Sequence, residues 1–187
     1  MAEFFDVYNE QGIPTGETVS RSEAHEKGIL HAAVHIYVYR MREGRLEILL
    51  QKRADDKDSF PSCWDTSCAG HVSAGDSFEG TVKKELSEEL GITVDNGEVQ
   101  HLFTKLVDKR NVFHKKPFLD REVYNVYALE RDIPEHDIVF QKEEISAVKW
   151  MEADALLERL EKGDKAYCIM LTTYSEVLKY LKQTALS

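Results

Sequence analysis

The sequence predicts an α+β fold: a mixed β-sheet sandwiched between helices, with an N-terminal β-hairpin extension. Three observations lead there. Several β-rich runs are bounded by turn residues, and three longer stretches carry apolar residues at helical spacing. These elements do not alternate as βαβ units, which argues against a doubly wound parallel sheet. Finally, 187 residues, 42% of them hydrophobic, suffice for one core-bearing domain with some chain to spare. The expected organisation is residues 1–30 as the extension and 31–187 as the main domain, closed by C-terminal helices.

Taken in order, Phe4 to Tyr8 reads as a short strand, Asn9 to Gly12 as a turn, and Pro14-Thr15-Gly16 as a second turn. Residues 31–40 (HAAVHIYVYR) and 46–51 form two strands, with Arg42-Glu43-Gly44 suited to the loop between them. An Asp/Lys/Ser-rich loop ends at Phe60-Pro61, and Trp64 to Val72 is extended. A helix is expected from about Ser77 to Leu90, capped by Asp76 or Ser77 and ended by Gly91. Its Phe78, Val82, Leu86 and Leu90 make one apolar stripe that must pack on a core. Strands follow near 99–107, 121–129 and 146–150. A basic loop, Asp108 to Lys116, lies between the first two, and amphipathic helices near 152–162 and 169–183 complete the chain.

Composition excludes some function classes. The net charge is −10, a surface that repels nucleic-acid backbones and anionic membranes. No stretch approaches the roughly 18 apolar residues of a membrane span, and the start, MAEFFDVYNE, carries no export signal. Three cysteines (Cys63, Cys68, Cys168) are too few for a disulfide framework, so a cytoplasmic location is expected. If the substrate is a polyphosphate, metal ions and a few Lys or Arg must invert the acidic field locally.

Glu85, Glu88 and Glu89 stand at i, i+3 and i+4, on one helix face, with Leu86 and Leu90 on another. Such a cluster is commonly just a solvated face, and Lys84 can pair with Glu88 across one turn. The preceding segment, Gly70-His71-Val72-Ser73-Ala74-Gly75-Asp76, shifts the balance. Its glycines let backbone approach a ligand, and it feeds a helix N-terminus that attracts phosphate. Carboxylates in this setting suit Mg²⁺ or Mn²⁺, which complete their shells with substrate phosphates and water.

These residues resemble the Nudix signature: Gly, five residues, Glu, seven residues, then Arg-Glu-apolar-x-Glu-Glu-x-Gly-apolar. The chain has Gly70, five residues, Asp76, seven residues, then Lys84-Glu85-Leu86-Ser87-Glu88-Glu89-Leu90-Gly91-Ile92, matching at seven of nine fixed positions. The resemblance spans residues 31–165. It implies a Nudix fold, with Glu85, Glu88 and Glu89 as metal ligands assisted by the Gly70 carbonyl. It also implies Glu88, Glu89 or a remote glutamate as the base that activates water. Glu144, beside Glu143 before the strand ending at Trp150, occupies the place of such a remote glutamate. Asp76 is one methylene shorter than the family's Glu. Lys84 offers a point charge where the family has a planar Arg, so the glutamates are held less firmly.

The stretch Cys63-Trp64-Asp65-Thr66-Ser67-Cys68-Ala69-Gly70-His71 resembles isopentenyl-diphosphate isomerases, which share this fold and move a carbon-bound proton with a cysteine and a glutamate. Their cysteine lies two residues before the histidine. Here Ala69 holds that place, and Cys68, one residue early on a strand, should point to the opposite face. Glu122 matches the isomerase glutamate, His31 and His71 match two of its metal-binding histidines, and His25 lies near a third with spacing one residue short. The expected activity is therefore Mg²⁺- or Mn²⁺-dependent hydrolysis of a diphosphate linkage in a nucleoside diphosphate linked to a group X. Isomerisation and a non-catalytic nucleotide-binding module are the alternatives. Arg53, Lys57 and the basic loop are candidate phosphate clamps and His71 a substrate contact. Tyr37, Tyr39 and Trp64 are candidates to stack on a base, against the plainer reading of core aromatics. The expected partner is a small-molecule diphosphate, with no nucleic acid and no membrane; a homodimer stays open.

Overall fold

The computed structural model describes residues 3–57, 59–113 and 116–184. Along the chain run β1 (Phe4–Tyr8), β2 (Pro14–Ser20), α1 (Arg21–Lys27), β3 (His31–Arg42), β4 (Arg45–Arg53), β5 (Trp64–Asp65), β6 (Cys68–His71), α2 (Phe78–Leu90), β7 (Val99–Phe113), β8 (Lys116–Glu130), β9 (Ile145–Glu152), α3 (Ala153–Glu161) and α4 (Leu171–Thr184). A 3-10 turn covers Glu135–Asp137.

β3 organises the main sheet, whose order is β5-β4-β3-β8-β7. It pairs in parallel with β8 from His31, facing Glu122, to Tyr39, facing Glu130. On its other side it changes partner midway. Ala33–Ile36 pair with β6, whereas Tyr39–Arg42 pair with β4. β4 then diverges to pair with β5 and β9. This exchange of neighbours opens the sheet toward one end, and the functional cleft lies there.

Alternation along β3 sets the layers, because successive side chains leave a strand on opposite faces. Val34, Ile36 and Val38 join Val82, Leu86 and Leu90 of α2 in one core. Ala33, Tyr37 and Tyr39 join Leu156 of α3 and Tyr174, Val177 and Leu178 of α4 in the other. The sheet is thus sandwiched between helices, as expected. No helix among the described residues is long and apolar enough to cross a membrane.

Four local expectations are corrected. Pro14-Thr15-Gly16 is not a turn but the start of β2: proline at a strand's first position needs no ladder N–H. Gly16, at φ +87°, also lies where the β1–β2 register slips. The seven-residue α1 was missed because it shows barely two turns of periodicity. Its signals were Ser20, whose side chain accepts from Glu23 N, and Gly28 at φ +66°. The extended stretch Trp64–Val72 is two short strands separated by Thr66 and Ser67. The basic loop at Asp108–Lys116 is instead the far part of a long hairpin. Asp108 pairs with Arg121 and Asn111 with Phe118 across β7 and β8, and Asp108 also forms a 3.3 Å ion pair with Arg121. Charged residues conceal strand alternation when both strand faces are partly wet. His114 and Lys115 of that predicted loop lie outside the described residues.

Candidate active site

α2 is held at both ends and along one side. Ser77, not Asp76, is the N-cap, its hydroxyl accepting from Gly80 N at 3.1 Å. Gly91, at φ +66°, closes the C-terminus by donating to the Leu86 and Ser87 carbonyls. Val82, Leu86 and Leu90 are buried in the core, which turns Glu85, Glu88 and Glu89 into a cleft of about 380 Å³. Glu88 is exposed, Glu85 half-buried and Glu89 buried.

Gly70 on β6 approaches this helix so closely that a Cβ there would lie 2.6 Å from Glu85 Oε1, a separation real Cβ atoms do not show. Burial pushes the Glu85 carboxyl up to about 7, opposed by Lys84 and reinforced by Glu88. Burial pushes Glu89 up to about 8, opposed by a hydrogen bond with the Cys68 thiol and reinforced by Glu85. Gln51 Nε2 donates to Glu89 Oε2 at 3.5 Å. Two carboxylates are thus desolvated beside a third, and among the described residues no ion pair joins Lys84 to any of them. An all-oxygen donor set of this kind, short of positive charge, fits a divalent cation such as Mg²⁺ or Mn²⁺. Asp76 does not line the cleft.

Across the cleft, β4 and the loop after it bring in the predicted cations, each already engaged. Lys57 Nζ pairs with Glu144 at 2.5 Å. Arg53 donates from Nε to the Ser59 carbonyl at 3.0 Å, and its guanidinium lies 3.5 Å from Asp65. Among the described residues of the predicted basic stretch, Lys109 reaches the lining. Tyr37 lines the cleft; Tyr39 lies in the core. Trp64 carries the Lys149 ammonium 3.9 Å over its ring.

The other end of the cleft, at His71 and Asp120, abuts a second donor set that the buried His25 and His31 complete from behind the lining. One ligand atom each from His25, His31, His71 and Asp120 lie within 4.8 Å of one another. Strand and helix geometry assembles them: His25 comes from α1, His31 opens β3, His71 closes β6, and Asp120 and Glu122 leave the same face of β8 at i, i+2. His25 Nδ1 faces the Arg21 carbonyl at 2.9 Å and His31 Nδ1 the Ile29 carbonyl at 2.8 Å. A carbonyl can only accept, so each of these Nδ1 atoms carries the proton and Nε2 presents a lone pair.

Among the described residues the Nε2 atoms of all three histidines are buried without a hydrogen-bond partner. His71 Nε2 is 3.2 Å from Glu122 Oε1, but out of line for a hydrogen bond. Burial, with His71 beside it, pushes His25 down to about 4; burial likewise lowers His31. Glu122 is held below the usual carboxylate range: the histidines around it, His71 foremost, outweigh the burial that would raise it. Three imidazoles with unpartnered Nε2 atoms beside carboxylates fit a transition-metal cation better than Mg²⁺.

The NUDIX domain family model matches residues 29–170, the span that holds α2, Gly70 and β8. The chain belongs to the Nudix family. Among its relatives, "Nudix hydrolase 3" of Arabidopsis thaliana is 38% identical over 167 residues, 88% of this chain; the chain spans only 21% of that protein's length. The isopentenyl-diphosphate Delta-isomerase of Aliivibrio fischeri (strain ATCC 700601 / ES114) is 33% identical over 187 residues, covering 98% of this chain and 99% of that enzyme. Among solved structures, DR0079 from Deinococcus radiodurans superposes with a TM-score of 0.67 at 21% identity, over 86% of this chain and 90% of that one. That likeness identifies the Nudix fold.

Within this Nudix chain, the predicted carboxylates and their named partners line one cleft: Gly70, Glu85, Glu88 and Glu89 at one end, Glu122 and His71 at the other, and Arg53, Lys57 and Glu144 across the opening; the stacking candidates Tyr39 and Trp64 do not. Glu143 does not line it. Cys68 is fully buried in the core on the α2 side, while Ala69 faces the cleft. The position that carries the isomerase cysteine therefore presents a methyl group here. Sequence reasoning overlooked Asp120 as a donor and Gln51 as a partner of Glu89. The spacing Asp120-x-Glu122 on a strand was the available signal for the first; nothing local marked the second.

Proposed function

We propose that the chain is a metal-dependent hydrolase that cleaves a diphosphate linkage in a nucleoside diphosphate joined to a group X. The observation that carries this reading is the convergence of Glu85, Glu88, Glu89 and the Gly70 backbone in one cleft that also holds Arg53 and Lys57. The three carboxylates, with the Gly70 carbonyl, would hold Mg²⁺ or Mn²⁺. When bound, such an ion neutralises phosphate oxygens and acidifies a nearby water. Arg53 and Lys57 exchange Ser59, Asp65 and Glu144 for phosphate oxygens and align the diphosphate for in-line attack. Water adds to one phosphorus, the P–O bond to the leaving phosphate breaks, and a carboxylate takes the proton. Glu89, buried and lining the cleft, is the first candidate for that last task. Glu144 is the second candidate, free to act once Lys57 turns to the substrate. Glu122, held down by the histidines, is the poorest base of the set.

Isomerisation is the second reading, favoured by the three-histidine end of the cleft and by a full-length relative that carries an isomerase name. Ala69 counts against it, because a methyl group can neither give nor take a proton. A panel of nucleoside diphosphates, sugar nucleotides, dinucleoside polyphosphates, coenzyme A and isopentenyl diphosphate, each with Mg²⁺ or Mn²⁺, separates the readings. Hydrolysis releases phosphate-bearing fragments. Isomerisation leaves the mass of the diphosphate unchanged and incorporates deuterium from D₂O. Tight nucleotide binding with no product under any metal would reject both.

A further inference from the structure

The first 28 residues lie outside the span matched by the family model, yet they reach the heart of the histidine cluster. Phe5 on β1 is 0% exposed. Its ring stacks on His31 at 4.9 Å and 13°, and on His71 at 4.8 Å and 20°, and it meets His25 edge-on at 6.3 Å. One aromatic ring thus touches all three imidazoles whose Nε2 atoms are orphaned. The backbone around it is stitched to the two segments that carry those rings. Tyr8 N donates to the Leu30 carbonyl at 2.9 Å, next to His31. Phe5 bridges Ser73, Ala74 N donates to the Phe4 carbonyl at 2.8 Å, and Gly75 N donates to Asp6 Oδ2 at 2.9 Å, just beyond His71.

The need for such a plate differs among the three histidines. His25 is fixed by the Arg21 carbonyl and by stacking on Phe118 at 4.4 Å. His31 has the Ile29 carbonyl. Among the described residues His71 Nε2 has no in-line hydrogen-bond partner, only Glu122 Oε1 at 3.2 Å; Phe5 stacks on its ring at 4.8 Å, and His25 meets it edge-on at 5.2 Å. A ligand ring free to rotate loses directional overlap with a cation, which is why groups behind the ligands tune metal affinity.

We propose that Phe5 is a positioning residue for a transition-metal cation held by His25, His31, His71 and Asp120, so that the N-terminal hairpin is a working part of this metal centre. The inference rests on the reading that these four donors bind a cation. The packing of β1 follows from it: Phe5 is buried against imidazole faces and not only against aliphatic core.

The test is Co²⁺ titration of chelator-stripped full-length protein in excess Mg²⁺, which keeps the oxygen-donor site filled, read by visible absorption and by calorimetry. Wild type, His25→Ala and Phe5→Leu are compared. Leucine keeps the site apolar and buried but removes the flat face. Phe5→Leu is expected to weaken Co²⁺ by about tenfold, within the range for groups behind metal ligands, and to shift the absorption bands. Its metal-free melting temperature is expected to stay within about 4 °C of wild type. If wild type binds Co²⁺ with high affinity, His25→Ala does not, and Phe5→Leu binds within twofold of wild type with an unchanged spectrum, the positioning role is wrong while the metal site stands. If wild type and His25→Ala take up Co²⁺ alike, the four donors are not a metal site and the proposal falls with it. A large loss of metal-free stability in Phe5→Leu, with Co²⁺ affinity intact, would make Phe5 a packing residue only.

Discussion

The cleft has two ends built on different principles. At one end, Glu85, Glu88 and Glu89 come from a single turn of α2, and Gly70 meets them from β6. At the other, His71 and Asp120 reach the lining and His25 and His31 stand behind them; the four come from β6, β8, α1 and β3, up to 95 positions apart in the chain, from 25 to 120. The first end offers oxygen donors, the second mostly nitrogen, so the two should prefer different ions. Helical periodicity alone gathers the glutamates, whereas His71 meets His31 through the β3–β6 pairing, with Ala33 opposite His71, and Asp120 joins them because β8 runs parallel beside β3. A local motif tolerates changes elsewhere in the fold; a dispersed one depends on the registers of several elements.

The comparison can be broken by experiment, beginning with the largest effect. Chelation of all divalent ions should abolish turnover, and Mg²⁺ or Mn²⁺ alone should restore it; full restoration by Co²⁺ or Zn²⁺ with Mg²⁺ and Mn²⁺ absent would move the chemistry to the histidine end. Glu89→Gln should lower kcat by about a thousandfold, as expected for loss of a general base, with circular dichroism unchanged. A variant retaining wild-type turnover would refute the role given to the glutamate helix.

Gly70→Ala should come next. The added methyl meets the Glu85 carboxyl and must displace it or β6, costing about 1–3 kcal/mol of stability and raising the Mg²⁺ concentration needed for half-maximal rate. Equal Mg²⁺ dependence in the two proteins would show that Glu85 is not a ligand.

Cys68→Ala should change turnover least, its effect limited to loss of the thiol hydrogen bond to Glu89, and cost about 1 kcal/mol through the small cavity left in the core. A thousandfold loss would instead bring the isomerase chemistry back, with Cys68 reaching the cleft.

The difference between the ends also explains what could be read in advance. The α2 stripe, its Gly91 stop and the glutamate spacing were legible because helix periodicity ties sequence distance to direction in space. The sandwich of sheet and helices was legible from the order of strand-like and helical runs. β2, α1 and the far half of the β7–β8 hairpin were not. α1 is too short to show a period, and Asp108 to Arg110 read as loop because charges mask alternation in a strand wet on both sides.

By itself, then, the chain's sequence determined the family motif, the carboxylate-bearing helix and the two-layer covering of the sheet, all of which follow from periodicities within about fifteen residues. Only the tertiary structure decided that Cys68 faces the core and Ala69 the cleft, that Asp120 joins three histidines, and that Phe5 lies flat against two of them. Those outcomes depend on strand register and on contacts between distant segments, and strand register is fixed by which faces can be buried together once the whole sheet has formed.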